Sequence, residues 1–132
     1  MNLVVDTSTI IAIVTNEESK PKIISLTRNA DLLAPSSLIW EIGNAFSAMF
    51  KRQRITLEQV RMALGVFHKI PLRLVDVDLE KAMETAKEQD VYAYDAYFIV
   101  CAQKYRCKLI SLDNGLVAAA RRAQVETIEV MS

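Results

Sequence analysis

Leu3-Val4-Val5-Asp6-Thr7-Ser8 is the stretch that decides the fold. Three consecutive apolar residues read as a short strand buried on both faces, the kind a parallel sheet contains. A carboxylate ends the run, and Asp6 or Thr7 is placed to cap a helix over Ser8 to Val14. Working outward, the same alternation recurs along the chain. An amphipathic helix from about Lys20 to Arg28 leads to a strand Leu32-Leu33-Ala34, stopped by Pro35. Ser36 and Ser37 then open a long helix whose apolar positions Ile39, Ile42, Ala45, Phe46 and Met49 follow the 3.6-residue period. Thr56 with Gln59 three residues on marks another helix start, running to about His68 before Pro71. A strand over Leu72 to Val77, helices over Asp78 to Gln89 and Ala93 to Tyr105, and a strand Lys108-Leu109-Ile110 follow. A last helix from Asn114 to Ala123 and a final strand from Glu126 to Val130 complete the reading. Short apolar strands alternating with helices predict an α/β layer fold around a parallel sheet.

The chain has 132 residues, 52% of them apolar and 24% charged, which is the composition of a globular protein and predicts one domain over residues 1–132. With three glycines and three prolines there is little room for linkers. The apolar N-terminal residues include Asp6 and lack a basic leader, so no signal peptide is expected. No apolar run approaches the roughly 20 residues needed to cross a bilayer, so no membrane partner is expected. Two cysteines, Cys101 and Cys107, form neither a disulfide framework nor a metal-ligand spacing, and a reduced, cytoplasmic protein is expected. Sixteen acidic and sixteen basic side chains cancel. That balance argues against a dedicated cationic nucleic-acid binder, and is compatible with an enzyme whose acidic pocket has basic borders.

Four carboxylates stand where an element begins or ends. They are Asp6, Glu41 in Leu38-Ile39-Trp40-Glu41-Ile42, Asp95 in Tyr94-Asp95-Ala96, and Asp113 in Leu109-Ile110-Ser111-Leu112-Asp113. Three of them interrupt or follow an apolar run, where an unpaired charge is costly to desolvate. If the strands ending before Asp6 and Asp113 are neighbours where strand order reverses, both carboxylates reach one crevice beyond the strand ends. Asp95 near its helix start and Glu41 in the first turns of its helix can face the same crevice. Clustered carboxylates raise one another's pKa unless a cation is present. Mg²⁺ takes oxygen ligands and a substrate phosphate, which suits phosphodiester hydrolysis. Ser8 and Ser111 are candidates to orient Asp6 and Asp95 through their hydroxyls. Each acid also has an ordinary explanation: Asp6 as a helix cap, Asp113-Asn114-Gly115 as a turn, Asp95 as a partner of the helix dipole. Glu41, inside Leu-Ile-Trp-Glu-Ile, is the hardest to explain that way.

The order and surroundings of these residues resemble the PIN-domain ribonucleases, in particular the small VapC toxins of prokaryotic toxin–antitoxin pairs. The matching pieces are the apolar pair before Asp6-Thr7-Ser8, Glu41 with Asn44 one turn later, Tyr94-Asp95-Ala96 opening a helix, and Leu109-Ile110-Ser111-Leu112-Asp113. The resemblance covers essentially the whole chain. It implies a three-layer domain with a five-stranded, mostly parallel sheet between helices. It also implies a Mg²⁺ or Mn²⁺ site, endonucleolytic cleavage of RNA, homodimerisation and a small antitoxin partner. Residue by residue, Asp6, Glu41, Asp95 and Asp113 match the family's catalytic acidic quartet, with Asp6, Asp95 and Asp113 as metal ligands and Ser8, Asn44 and Ser111 in support. Ser111 stands where many members carry Thr. Asn114 lies near a place where some members add an acid, and one-ion and two-ion chemistry both stay open.

The basic cluster Lys51-Arg52-Gln53-Arg54 and the pair Arg121-Arg122 could face RNA, but lysine and arginine near helix ends are more simply dipole partners. Trp40, Phe46, Met49 and Phe50, with Val60, Leu64 and Phe67, are read mainly as core, with part of the long helix left over for a second subunit. Tyr92, Tyr94 and Tyr97 could stack on bases, although packing is the simpler expectation. His68 is expected at a surface or helix end. Two other function classes fit the residues less well. A haloacid-dehalogenase-type phosphatase wants a second Asp two residues after Asp6, where the chain has Ser8. A non-catalytic PIN-like module binding RNA or protein has little reason to gather four anionic groups.

Overall fold

A computed structural model describes residues 1–130. Five strands, β1 (Asn2–Val5), β2 (Asp31–Pro35), β3 (Leu72–Val75), β4 (Lys108–Ile110) and β5 (Thr127–Ile128), form one sheet in the order β3-β2-β1-β4-β5. Every neighbouring pair is parallel. Among the described residues seven helices connect and flank them: α1 (Thr7–Val14), α2 (Lys20–Thr27), α3 (Leu38–Lys51), α4 (Leu57–Phe67), α5 (Leu79–Gln89), α6 (Ala93–Tyr105) and α7 (Asn114–Arg122). The α/β reading of the sequence and its parallel sheet are therefore what the chain adopts.

Leu3, Val4 and Val5 point alternately to the two faces of the sheet, yet all are fully buried. Both faces of the central strand are thus covered by helices, which gives three layers. Helix α6 lies across β1, β2 and β4, and α5 packs on α6 through a small cluster of Ala82, Ala96 and Val100. Helix α1 is buried from Thr9 to Val14, as a helix apolar all round must be, and packs against α2, α3 and α4. The two edge strands are thinner than the sequence suggested. β3 stops at Val75 and β5 keeps only Thr127 and Ile128 of the expected Glu126 to Val130.

Local signals fix most helix starts. Asp6 accepts from the backbone N–H of Thr9 and caps α1. Thr56 and Gln59 exchange the reciprocal bonds of a capping box at α4. His68 ends α4, exposed, with its ring tilted 57° to that of Phe67. Among the described residues no helix is long and apolar enough to cross a membrane.

The apolar stripe of α3 needs correction. Leu38, Ile42 and Phe46 are its buried residues, whereas Ile39 is half exposed, Phe50 is exposed and Trp40 is 71% exposed. The expectation that Trp40 and Phe50 belong to the core is therefore overturned. Leu38-Ile39-Trp40 is apolar in three successive directions around a helix, so tertiary packing, and not the sequence pattern, selects Leu38 for the core.

Candidate active site

The strand order 3-2-1-4-5 reverses between β1 and β4, which is where ligands bind in open α/β sheets. The two strands run in register, Val5 beside Ile110, so the residues that follow them are also neighbours. Asp6 and Ser111 come off their ends side by side, and the Ser111 hydroxyl donates to Asp6 Oδ2 at 2.7 Å.

Asp6 is almost wholly buried and is the most densely bonded side chain of the region. Its Oδ1 accepts from the Thr9 backbone N–H at 3.0 Å, from Thr9 Oγ1 at 2.8 Å and from Ser8 Oγ at 2.9 Å. Its Oδ2 accepts from Ser8 as well as Ser111. The serines tie this carboxylate to the loop after β4: Leu112 N–H donates to Ser8 Oγ and Asp113 N–H to Ser111 Oγ. Both serines thus serve Asp6. Neither reaches Asp95, contrary to the expectation that they would be shared between the two acids. Despite these donors the Asp6 pKa is raised, because desolvation by burial outweighs the hydrogen bonds of Ser111, Thr9 and Ser8.

Glu41 lies in the first turn of α3, half-buried, with Ser37 Oγ donating to its Oε2 at 3.4 Å. Its pKa is pushed up to about 7, chiefly by burial. The nearby hydroxyls of Thr7 and Ser37 oppose the rise, and the charges of Asp6 and Asp95 add to it. Thr7 Oγ1 is buried beside this carboxyl yet makes no hydrogen bond of acceptable geometry, leaving one orphaned polar atom at the site. Asp95 is the third residue of α6 and is partly buried. Its pKa is raised by burial, then by the charges of Asp113 and Asp6.

Asp113 sits differently. It is exposed and caps α7, its Oδ1 accepting from the N–H groups of Gly115 at 2.9 Å and Leu116 at 3.2 Å. A Cβ at position 115 would stand 3.2 Å from that oxygen, so glycine there keeps the approach uncrowded.

The four acids therefore occupy one electrostatic neighbourhood, linking Glu41 to Asp6 and Asp95, and Asp95 to Asp6 and Asp113. They are not drawn into a closed ligand set: among the described residues no three Asp, Glu, His or Cys side chains stand close enough to hold an ion. Nor does any lysine or arginine pair with them, since the ion pairs among the described residues are Met1–Asp31, Arg61–Glu58 and Lys108–Glu126. In chemistry, if not in spacing, uncompensated carboxylates with raised pKa values and an orphaned hydroxyl are the hard oxygen donors that a divalent cation takes.

Other predicted residues lie apart. Asn44 is exposed and its side chain makes no hydrogen bond to the four acids among the described residues. Lys51 to Arg54 follow Glu41 by ten or more residues, about 15 Å along a helix axis, so they do not border the pocket. Arg121 and Arg122 are engaged locally, with Thr127 and with Gln89. Tyr92 is 89% exposed and Tyr94 is exposed too, so packing explains neither; Tyr97 is the partly buried one.

Thr9 was missed as a site residue. Its hydroxyl lies between Asp6 Oδ1 and Ile110 O, fastening β1 to β4. The signal was the spacing itself, since a threonine three residues after a helix cap faces the capping side chain. Ser111→Ala is expected to lower stability by about 1–3 kcal/mol, because Asp6 loses a donor and Asp113 N–H an acceptor. An unchanged urea midpoint would contradict that network.

The sequence model of the PIN domain matches residues 3–122. Comparison with curated proteins gives no match. Several solved structures share the fold. PAE2754 from Pyrobaculum aerophilum superposes with a TM-score of 0.73 at 20% identity, over 96% of this chain and 83% of that one. VapBC2 from Rickettsia felis, bound to a DNA fragment from its promoter, gives 0.67 at 14% identity, over 97% and 98%. VapC20 of Mycobacterium tuberculosis, a toxin that cleaves the sarcin-ricin loop, gives 0.62 at 13% identity, over 89% and 94%. A family match across residues 3–122, on a 3-2-1-4-5 parallel sheet with the acids at its switch point, leads to one conclusion: the chain belongs to the PIN domain family.

Proposed function

We propose that this protein is a Mg²⁺- or Mn²⁺-dependent endoribonuclease and the toxin of a toxin–antitoxin pair. The observation that carries the reading is the acidic quartet itself: four carboxylates at the switch point, three with raised pKa values and none with a cationic partner among the described residues. Asp6, Asp95 and Asp113 are the residues to hold the metal, with Glu41 beside them. A bound divalent ion supplies charge neutralisation for a phosphodiester and an acidified water.

The chain's own residues do the rest. Ser8, Thr9 and Ser111 hold Asp6 in one orientation, so its carboxylate needs no rearrangement to act. Glu41, which stands beside these residues and is raised to about 7 in the metal-free protein, is the group assigned here to exchange a proton with the attacking water. The toxin assignment draws on the VapBC2 assembly and on a toxin–antitoxin complex from Klebsiella pneumoniae, which matches at a TM-score of 0.62 and 13% identity, over 98% of each chain. A small antitoxin and a homodimer belong to the same proposal. So does a reducing, cytoplasmic setting, in which the buried Cys101 and half-buried Cys107 stay thiols.

A circular RNA tests the endonucleolytic part, because it has no ends. Purified protein is expected to linearise it with Mg²⁺ or Mn²⁺ and to leave it intact with chelator. Linearisation in chelator would overturn the metal requirement, and degradation of linear RNA alone would overturn the internal cut.

A further inference from the structure

Beside the acidic site lies a cleft of about 400 Å³ whose walls include Ser37, Trp40, Asp76, Leu79, Tyr94 and Tyr97. It shares a wall with the site, since Ser37 also donates to Glu41. Trp40 and Glu41 share the first turn of α3, and Tyr94 and Asp95 the first turn of α6, so the two helix starts that carry the acids also carry the exposed aromatic rings of the cleft. Tyr94 and Tyr97 meet edge to face, centroids 6.0 Å apart at 69°, which presets one aromatic wall. No lysine or arginine is among the walls: Lys104 Nζ donates to the Asp76 backbone carbonyl at 3.0 Å from outside them, and Asp76 itself lines the cleft. The walls therefore supply no cation of their own to hold a phosphate. What the cleft offers a ligand is flat aromatic surface and hydrogen-bond acceptors.

From these contacts we infer that the cleft is a base-stacking subsite, in which Trp40 and Tyr94 receive an unpaired nucleobase adjoining the phosphate held at the carboxylates. The inference deepens the nuclease reading and rests on it. A paired base has both faces covered by its neighbours, so the subsite selects looped or single-stranded RNA over duplex. Trp40 and Tyr94 are positioning residues in this scheme, and Asp76 can accept from the amino edge of the stacked base.

Trp40 is the sole tryptophan, so its emission reports on the cleft directly. Asp95→Asn, which is expected not to cut, is titrated in Mg²⁺ with a ten-nucleotide oligoadenylate and with a blunt RNA duplex. Saturable quenching by the single strand alone is expected. In Mn²⁺, Trp40→Ala is expected to lose roughly 10- to 100-fold in kcat/KM on the single strand, mainly through KM, while Trp40→Phe stays close to wild type. Unquenched emission and an unchanged kcat/KM in Trp40→Ala would overturn the subsite while leaving the nuclease intact. Quenching without cleavage in any metal would keep the subsite and remove the nuclease. If light scattering shows that Trp40→Ala loses a dimer formed by wild type, the cleft is a contact between copies and the inference is overturned.

Discussion

Asp6→Asn is expected to remove RNA cleavage almost completely while leaving the fold intact or slightly firmer. The amide keeps the size of the carboxylate, and the hydroxyls of Ser8, Thr9 and Ser111 can rotate to accept as well as donate. What disappears is a charge that only a cation compensates. Losing a metal ligand that neutralises transition-state charge is an effect of several kcal/mol, so a fall of about 100-fold or more in kcat/KM is expected. The stability change has the opposite sign. Burial already disfavours the ionised form of Asp6, so a neutral side chain relieves a desolvation cost in the metal-free protein. Paired assays of cleavage and of urea midpoint read both effects. Activity within tenfold of wild type, or a clear loss of stability, would contradict the role assigned to this carboxylate.

Thermal stability should depend jointly on pH and metal. Glu41 titrates near 7 in the folded protein against a reference of 4.5, and Asp6 and Asp95 are raised from 3.8. For groups with a raised folded pKa, the folded state holds extra protons between the two pKa values. Their stabilisation is fully present below the unfolded pKa and is lost as pH rises through the folded pKa. For Glu41 that window runs from about 4.5 to about 7. The metal-free protein is therefore expected to lose Tm from these groups as pH rises across it. Divalent metal reverses the loss, because it binds the ionised carboxylates that the apo protein tolerates poorly. Mn²⁺ at about 100 times its dissociation constant contributes roughly 2.7 kcal/mol, or roughly 8 °C in Tm, at pH 8. At pH 5, where the raised carboxyls of the site hold more of their protons, a smaller shift is expected. Equal metal-induced shifts at the two pH values would show that the raised carboxylates are not where the ion binds.

The elements most legible in the sequence are those whose signals are local. The span of α6 and the strand Lys108 to Ile110 were readable to the residue, and the Thr56–Gln59 box formed as written. The crevice was readable only conditionally, because the pairing of β1 with β4 links residues about a hundred positions apart. What the sequence hid was set by packing. Leu38, Ile39 and Trp40 are equally apolar, and the burial of Leu38 with exposure of Trp40 follows from the position of neighbouring helices. The same holds for the serines. Ser8 and Ser111 could each have served either aspartate, and the side-by-side exit of β1 and β4 gives both to Asp6. Asp113 illustrates the converse: its reading as a helix cap and as a site residue were not exclusive, since it caps α7 and still bears on Asp95.

The most direct measurement is cleavage of one labelled RNA by wild type and Asp95→Asn, purified side by side, in Mg²⁺, in Mn²⁺ and in chelator. Asp95 makes no hydrogen bond that the substitution would break among the described residues, so the variant isolates charge from folding. The expected result is cutting by wild type in either metal, none in chelator, and at least a 100-fold deficit in the variant. Equal cutting by both proteins, or cutting that persists in chelator, would contradict catalysis by the acidic quartet.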